Sequence, residues 1–126
     1  MRFKRKSAFR YTFEQPILAH FRIVKIDEKV VKTHEGMARI LDISPRGLKI
    51  NSELNIPETD YKTIELSLRF PLNTSEFSCN GIIKWKKEMG TTVDYGIGLL
   101  VDEFGRKSII EQLKIHSKNT DYHDEG

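Results

Sequence analysis

The sequence predicts a mainly all-β domain: about six short strands in a barrel or sandwich, followed by one C-terminal α-helix. Three observations lead there. Apolar and polar residues alternate one by one in several separate runs, which is the period of a half-buried strand. Clusters of turn-forming residues punctuate those runs. After Asp102 the apolar spacing changes to that of a helix.

Ile17, Ala19, Phe21 and Ile23 form the first alternating face, ended by the reversal Asp27-Glu28-Lys29. Met37, Arg39, Leu41 and Ile43 form a rougher one, and Leu48 and Ile50 fit a short strand after the turn that begins at Asp42. Pro57-Glu58-Thr59-Asp60 then breaks the chain before Thr63 to Phe70, the cleanest alternation in the sequence. Pro71 to Ser75 is the next turn. Phe77, Cys79, Gly81, Ile83 and Trp85 share the following face, which makes core packing the expected role of Trp85. Met89 to Thr92 reverses the chain into Val93, Tyr95, Ile97 and Leu99. Gly96 and Gly98 sit inside that last strand, where glycine weakens pairing and marks either a barrel corner or a wall approached by a ligand.

Phe104, Ile109, Ile110 and Leu113 fall at mostly helical spacing between Glu103 and His116, with Asp102 placed to cap the helix start. From Ser117 onward the chain is polar and expected to fray. This divides the chain into a flexible basic arm over 1–12, a barrel with its helix over 13–117, and a polar tail over 118–126.

A chain of 126 residues suits one domain with its own core. Its single cysteine, Cys79, excludes an intramolecular disulfide, and no Cys/His spacing resembles a zinc site. The N-terminus is basic but is followed by no apolar segment of a secretory signal, and no run approaches the ~20 apolar residues of a membrane span. A cytoplasmic protein with no membrane insertion is expected. The net charge is only +3, yet it is unevenly placed. Arg2, Lys4, Arg5, Lys6 and Arg10 lie in the first ten residues with no acid among them, a potential that attracts phosphates.

Catalysis finds little support. Ser44 has no evident histidine partner, and His116 and His123 fall on the last helix and tail, poor places for a triad. There is no phosphate-binding loop with its Lys-Ser/Thr. A protein that is not an enzyme, without metal or cofactor, is the expectation.

Two segments carry a binding chemistry instead. In Arg5-Lys6-Ser7-Ala8-Phe9-Arg10, guanidinium groups suit both phosphate oxygens and the O6/N7 edge of guanine. In Asp42-Ile43-Ser44-Pro45-Arg46-Gly47 a strand ends and reverses. Asp42 offers a carboxylate to the N1–H and N2–H donors of a guanine, Ser44 a short hydroxyl, and Gly47 either a positive φ or a close approach. Pro45 presets the turn. Taken alone, each segment also reads as a solvated arm and a ligand-free Asx-type turn.

Together they resemble the PilZ domain, a bacterial receptor domain for the second messenger cyclic di-GMP. Its pattern is an Arg-x-x-x-Arg arm, a strand pair, then Asp/Asn-x-Ser-x-x-Gly, and Asp42 to Gly47 fits the second element at every fixed position. Gly81-Ile82-Ile83-Lys84-Trp85 and Tyr95-Gly96-Ile97-Gly98-Leu99 are similar to the family's later strands, so the resemblance spans roughly Arg5 to Ile115. It implies a six-stranded antiparallel β-barrel with a C-terminal helix, and an arm that clamps the dinucleotide against it. It further implies a ligand-binding set of Arg5, Lys6, Arg10, Asp42, Ser44 and Gly47. Arg10 would contact phosphate or guanine, Asp42 a guanine edge, and Ser44 would support the ligand. Binding would order the arm and alter the surface offered to an unidentified protein partner.

One position departs from the pattern. Lys6 stands where the family has the first arm arginine, and lysine keeps the charge but loses the planar fork. Losing one bidentate contact costs on the order of 2 kcal/mol, roughly 30-fold in affinity, unless Arg5 takes its place. Two further readings therefore stand beside the first. One is a protein-interaction module of the same fold that has lost the ligand. The other is a nucleic-acid binder, motivated by the arm, by Trp85 among Lys84, Lys86 and Lys87, and by a sequence pI near 9.0.

Overall fold

The computed structural model describes residues 10–125, with side chains through residue 118. Seven strands precede one helix: β1 (Tyr11–Ile26), β2 (Lys29–Val30), β3 (Gly36–Ile43), β4 (Gly47–Ser52), β5 (Ile64–Leu72), β6 (Ser75–Met89), β7 (Thr92–Leu99) and α1 (Glu103–Glu125). The sheet runs β2-β1-β3-β4-β7-β6-β5, every pairing is antiparallel, and β1 also pairs with β5. That last pairing closes a six-stranded antiparallel barrel, leaving β2 as a two-residue appendage on β1. Closure removes the unpaired edges that an open sheet would expose.

β1 serves two neighbours because it is long and bent. It pairs with β3 from Tyr11 to Phe21 and with β5 from His20 to Ile26, with register breaks between Thr12 and Ile17 and between Ile23 and Lys25. Pro16 lies inside the first break, where its missing N–H disturbs no ladder bond. The barrel therefore begins at Tyr11, inside the segment assigned to the arm, because Tyr11 and Thr12 pair with Ile43 and Asp42.

The clean alternation of β5 appears as predicted: Ile64, Leu66, Leu68, Phe70 and Leu72 are all buried. In β3 the predicted face has the wrong parity. Ala38 and Ile40 point inward while Met37 and Arg39 face solvent. A bulge between Ile40 and Asp42 then shifts the strand by one residue, so that Ile43 also turns inward. Bulges of this kind re-aim side chains, and this one puts Asp42 on the outer face.

Each end of the barrel is covered. At one end α1 inserts Ile109 and Leu113 into the core, and His116 meets the rings of Tyr11 and Phe13 edge-on at 5.4 and 5.3 Å. Fully burying such aliphatic side chains is worth roughly 1.5–3 kcal/mol each, which is what holds an otherwise polar helix in place. Asn73 of the β5–β6 turn donates to the carbonyl and side-chain oxygens of Gln112 at 2.9 and 2.8 Å, and Asp102 caps the helix by accepting from Gly105 N at 2.8 Å. Two expectations for this region change. Phe104 is 81% exposed rather than part of the packed stripe, and helical backbone continues to Glu125 through the segment assigned to a frayed tail. At the other end the β4–β5 loop folds over, burying Ile56. The Tyr95 hydroxyl pins it, donating to Leu54 O at 2.6 Å and accepting from Ile56 N at 2.8 Å.

No helix among the described residues is long and apolar enough to cross a membrane.

Candidate functional site

The β3–β4 connection is a two-residue hairpin loop, Pro45 and Arg46, between Ser44 and Gly47. Ser44 N donates to Gly47 O at 2.8 Å. The return bond goes to a side chain: Gly47 N donates to Ser44 Oγ at 3.2 Å, and the Ser44 hydroxyl in turn donates to Gly47 O at 3.2 Å. Ser44 thus spends its hydroxyl on the turn. Gly47 is needed for proximity, not for backbone handedness. A Cβ there would lie 2.5 Å from the carbonyl oxygen of Ile97, and its φ is not positive. This close approach lets β4 pair with β7, Gly47 opposite Gly98.

Pairing register builds the outer wall beside this turn. Residues directly opposite one another on antiparallel strands share a face. One row runs across five strands: Thr12 of β1, Asp42 of β3, Lys49 of β4, Gly96 of β7 and Trp85 of β6. The last member is unexpected. A bulge between Ile83 and Trp85 breaks the β6 alternation, so Ile83 stays in the core while Lys84 and Trp85 both turn outward. Trp85 is 46% exposed, which corrects its expected role in the core. The indole lies over Gly96, in the space a side chain there would take, and the Lys84 stem lies over Gly98, where a Cβ would come within 2.7 Å of its Cε. The two strand glycines therefore lie on the wall of a cleft. They let two neighbouring side chains lie flat on the sheet.

The result is a cleft of about 370 Å³ between the Ser44–Gly47 turn and Trp85. Its basic side chains are Arg10, Arg46, Lys49 and Lys84; its one acid is Asp42. Asp42 has a side chain only 12% exposed and is met by Arg10, whose Nη1 lies 3.2 Å from Oδ1. Arg10 can reach it because it directly precedes the Tyr11–Ile43 and Thr12–Asp42 pairs. Among the described residues, Arg46, Lys49 and Lys84 make no ion pair. A concave wall with that excess of positive charge attracts anions, and the indole adds an apolar face on which a planar ring can stack.

Of the residues singled out from sequence, Arg10, Asp42, Ser44 and Gly47 meet in this cleft. Arg5 and Lys6 lie outside the described residues. Sequence reasoning missed Arg46, Lys49 and Lys84 as members and misplaced Trp85. The signal for Trp85 was the flanking Lys84, Lys86 and Lys87, which suit a surface strand better than a core one. Among the described residues no group of three His, Cys, Asp or Glu side chains is placed to hold a metal ion.

No protein-family model matches the chain, and no curated protein matches it either.

Proposed function

We propose that the protein is a non-enzymatic receptor for cyclic di-GMP, bound in the cleft between the Ser44–Gly47 turn and Trp85. One observation carries this reading: Arg10, at the end of the basic arm, and the sheltered carboxylate of Asp42 sit 3.2 Å apart at a cleft that also holds an indole and three cations with no ion-pair partner among the described residues. The chemistry matches the parts of that ligand. Guanine presents adjacent N1–H and N2–H donors to a carboxylate, its purine face suits an indole, and two phosphodiesters require cations. Arg5, Lys6 and Arg10 close over the ligand from the arm, while Ser44 and Gly47 hold the turn that presents Asp42. Ligand binding holds the arm against the barrel and changes the surface offered to a protein partner in the cytoplasm, a switch driven by the ligand's preference for one state.

The test is calorimetric titration with cyclic di-GMP, beside cyclic di-AMP and GTP. Saturable binding of cyclic di-GMP alone is expected. No heat at tens of micromolar ligand would remove the reading and leave the same fold as a ligand-free interaction module.

The outward position of Trp85 favours one alternative, single-stranded nucleic acid. An exposed indole between Lys84 and Lys87 is a stacking platform of the kind such proteins use. A mobility shift with random RNA that weakens steeply with salt supports it, and no shift at low salt removes it.

A further inference from the structure

We infer that Lys49, Lys84 and Arg46 form a phosphodiester subsite fixed on the barrel itself, separate from the cations of the arm. The inference rests on the reading of the cleft as a dinucleotide site and divides the labour within it. Arg10 is committed to Asp42 at 3.2 Å, so while that pair stands its charge is largely spent on the carboxylate. The three other cations of the cleft have no such partner among the described residues. They come from three different elements: Lys49 from β4, Lys84 from the β6 bulge and Arg46 from the loop between β3 and β4.

Their placement is set by backbone pairing. Lys49 stands opposite Gly96, and the Lys84 stem crosses Gly98, so the two lysines flank β7 from either side. With strands about 4.8 Å apart, side chains of this length converge over the intervening strand. Neither Gly96 nor Gly98 raises a side chain between them. The Arg46 main chain abuts the end of the same strand, its carbonyl accepting from Leu99 N at 2.8 Å, and Arg46 lines the cleft there. Three cations converging from three elements onto one strand suit a compact anion, and lysine meets a phosphate as a point charge that needs no fixed orientation.

The experiment uses Trp85, the only tryptophan in the chain, as a reporter inside the cleft. Emission is followed during titration of the full chain with cyclic di-GMP and, separately, with inorganic pyrophosphate, which has no base to recognise. Lys49→Met and Lys84→Met are compared with Lys107→Met on the exposed side of α1. Lys49→Gln serves as a second variant, and melting curves establish that each protein is folded. We expect about tenfold weaker cyclic di-GMP binding in each cleft variant and unchanged binding in Lys107→Met. Pyrophosphate is expected to change Trp85 emission in a Lys49- and Lys84-dependent way. If wild type ignores cyclic di-GMP while pyrophosphate still acts through Lys49 and Lys84, the subsite stands and the guanine reading fails. If folded Lys49 and Lys84 variants bind both probes as wild type does, or if neither probe binds wild type, the subsite is overturned.

Discussion

The Trp85 indole lies on Gly96, the residue opposite it across the β6–β7 ladder, in space that any larger residue would fill. Substituting the strand glycines should therefore have graded effects. Gly96→Ala drives a methyl into a rigid ring and should destabilise by about 1–3 kcal/mol, the usual range for overpacking. It should also shift Trp85 emission as the indole lifts. Gly98→Ala meets only the flexible end of Lys84, which can move aside, and should be nearly neutral. Gly47→Ala meets the Ile97 carbonyl at 2.5 Å and must part β4 from β7, so it should cost most. Urea denaturation ranks the three, and a Gly98 variant less stable than the Gly47 variant would contradict this packing.

Ser44 and Asp42 sit two residues apart yet should fail differently. The Ser44 hydroxyl serves Gly47 N and O, so Ser44→Ala should lose about 1 kcal/mol of stability with a smaller loss of cyclic di-GMP affinity. Asp42 faces the cleft, and Asp42→Ala should lower that affinity by roughly ten- to a hundredfold, as expected for removing hydrogen bonds to a charged acceptor. Paired melting and calorimetry separate the effects; equal affinity losses in the two variants would mean that Ser44 touches the ligand.

The Arg10–Asp42 pair should contribute little to the fold. Arg10 is 60% exposed on its side chain, and exposed pairs are worth at most about 1 kcal/mol. Arg10→Gln should leave the urea midpoint almost unchanged while weakening cyclic di-GMP binding. A large loss of stability with intact binding would reassign Arg10 from ligand recognition to holding β1 against β3.

These contrasts also mark where the sequence was legible. The turn from Asp42 to Gly47 could be read because much of its chemistry is local: the Ser44 hydroxyl and Pro45 act on residues within three positions, although the reason for glycine at Gly47, the approach of the Ile97 carbonyl, comes from another strand. The alternation of β5 was legible because no bulge interrupts it. Trp85 was misplaced because its side depends on a bulge between Ile83 and Trp85, and strict alternation carries no sign of an inserted residue. The same error reversed the face of Met37 and Arg39, upstream of the bulge before Asp42. Lys49 and Lys84 are 35 positions apart in the chain, and only the shared neighbour β7 brings them to one cleft. Phe104 lies at the first turn of α1, where the helix has not yet met the barrel, so its apolar character did not predict burial.

Tyr95 should matter more than its position in a strand suggests. Its hydroxyl satisfies both Leu54 O and Ile56 N over the covered end of the barrel. Tyr95→Phe keeps the ring but strands a buried N–H and a carbonyl, a loss of about 1–3 kcal/mol. The loop over the barrel end should then exchange its amide hydrogens faster than the β5 and β7 ladders. Unchanged exchange at Ile56 would show that this hydroxyl does not hold the loop.

Cys79 makes the stability of the barrel depend on alkaline pH. Burial pushes its thiol up from 9.0 to about 11, because the thiolate is poorly solvated on β6 opposite Leu68, packed against the core. Below pH 9 the thiol is protonated in both the folded and the unfolded chain, so it has no effect. Between pH 9 and about 11 the unfolded chain releases the proton while the folded chain keeps it. The unfolded state then binds fewer protons, and stability falls as pH rises. Above about 11 both forms ionise and the loss levels off, at a magnitude on the order of 2–3 kcal/mol. Lysines titrate in the same range, so the measurement is the difference in urea midpoint between wild type and Cys79→Ala across that window. The variant should lose less stability than wild type as pH rises. Parallel curves would mean that the thiol is as well solvated in the folded protein as in the unfolded one.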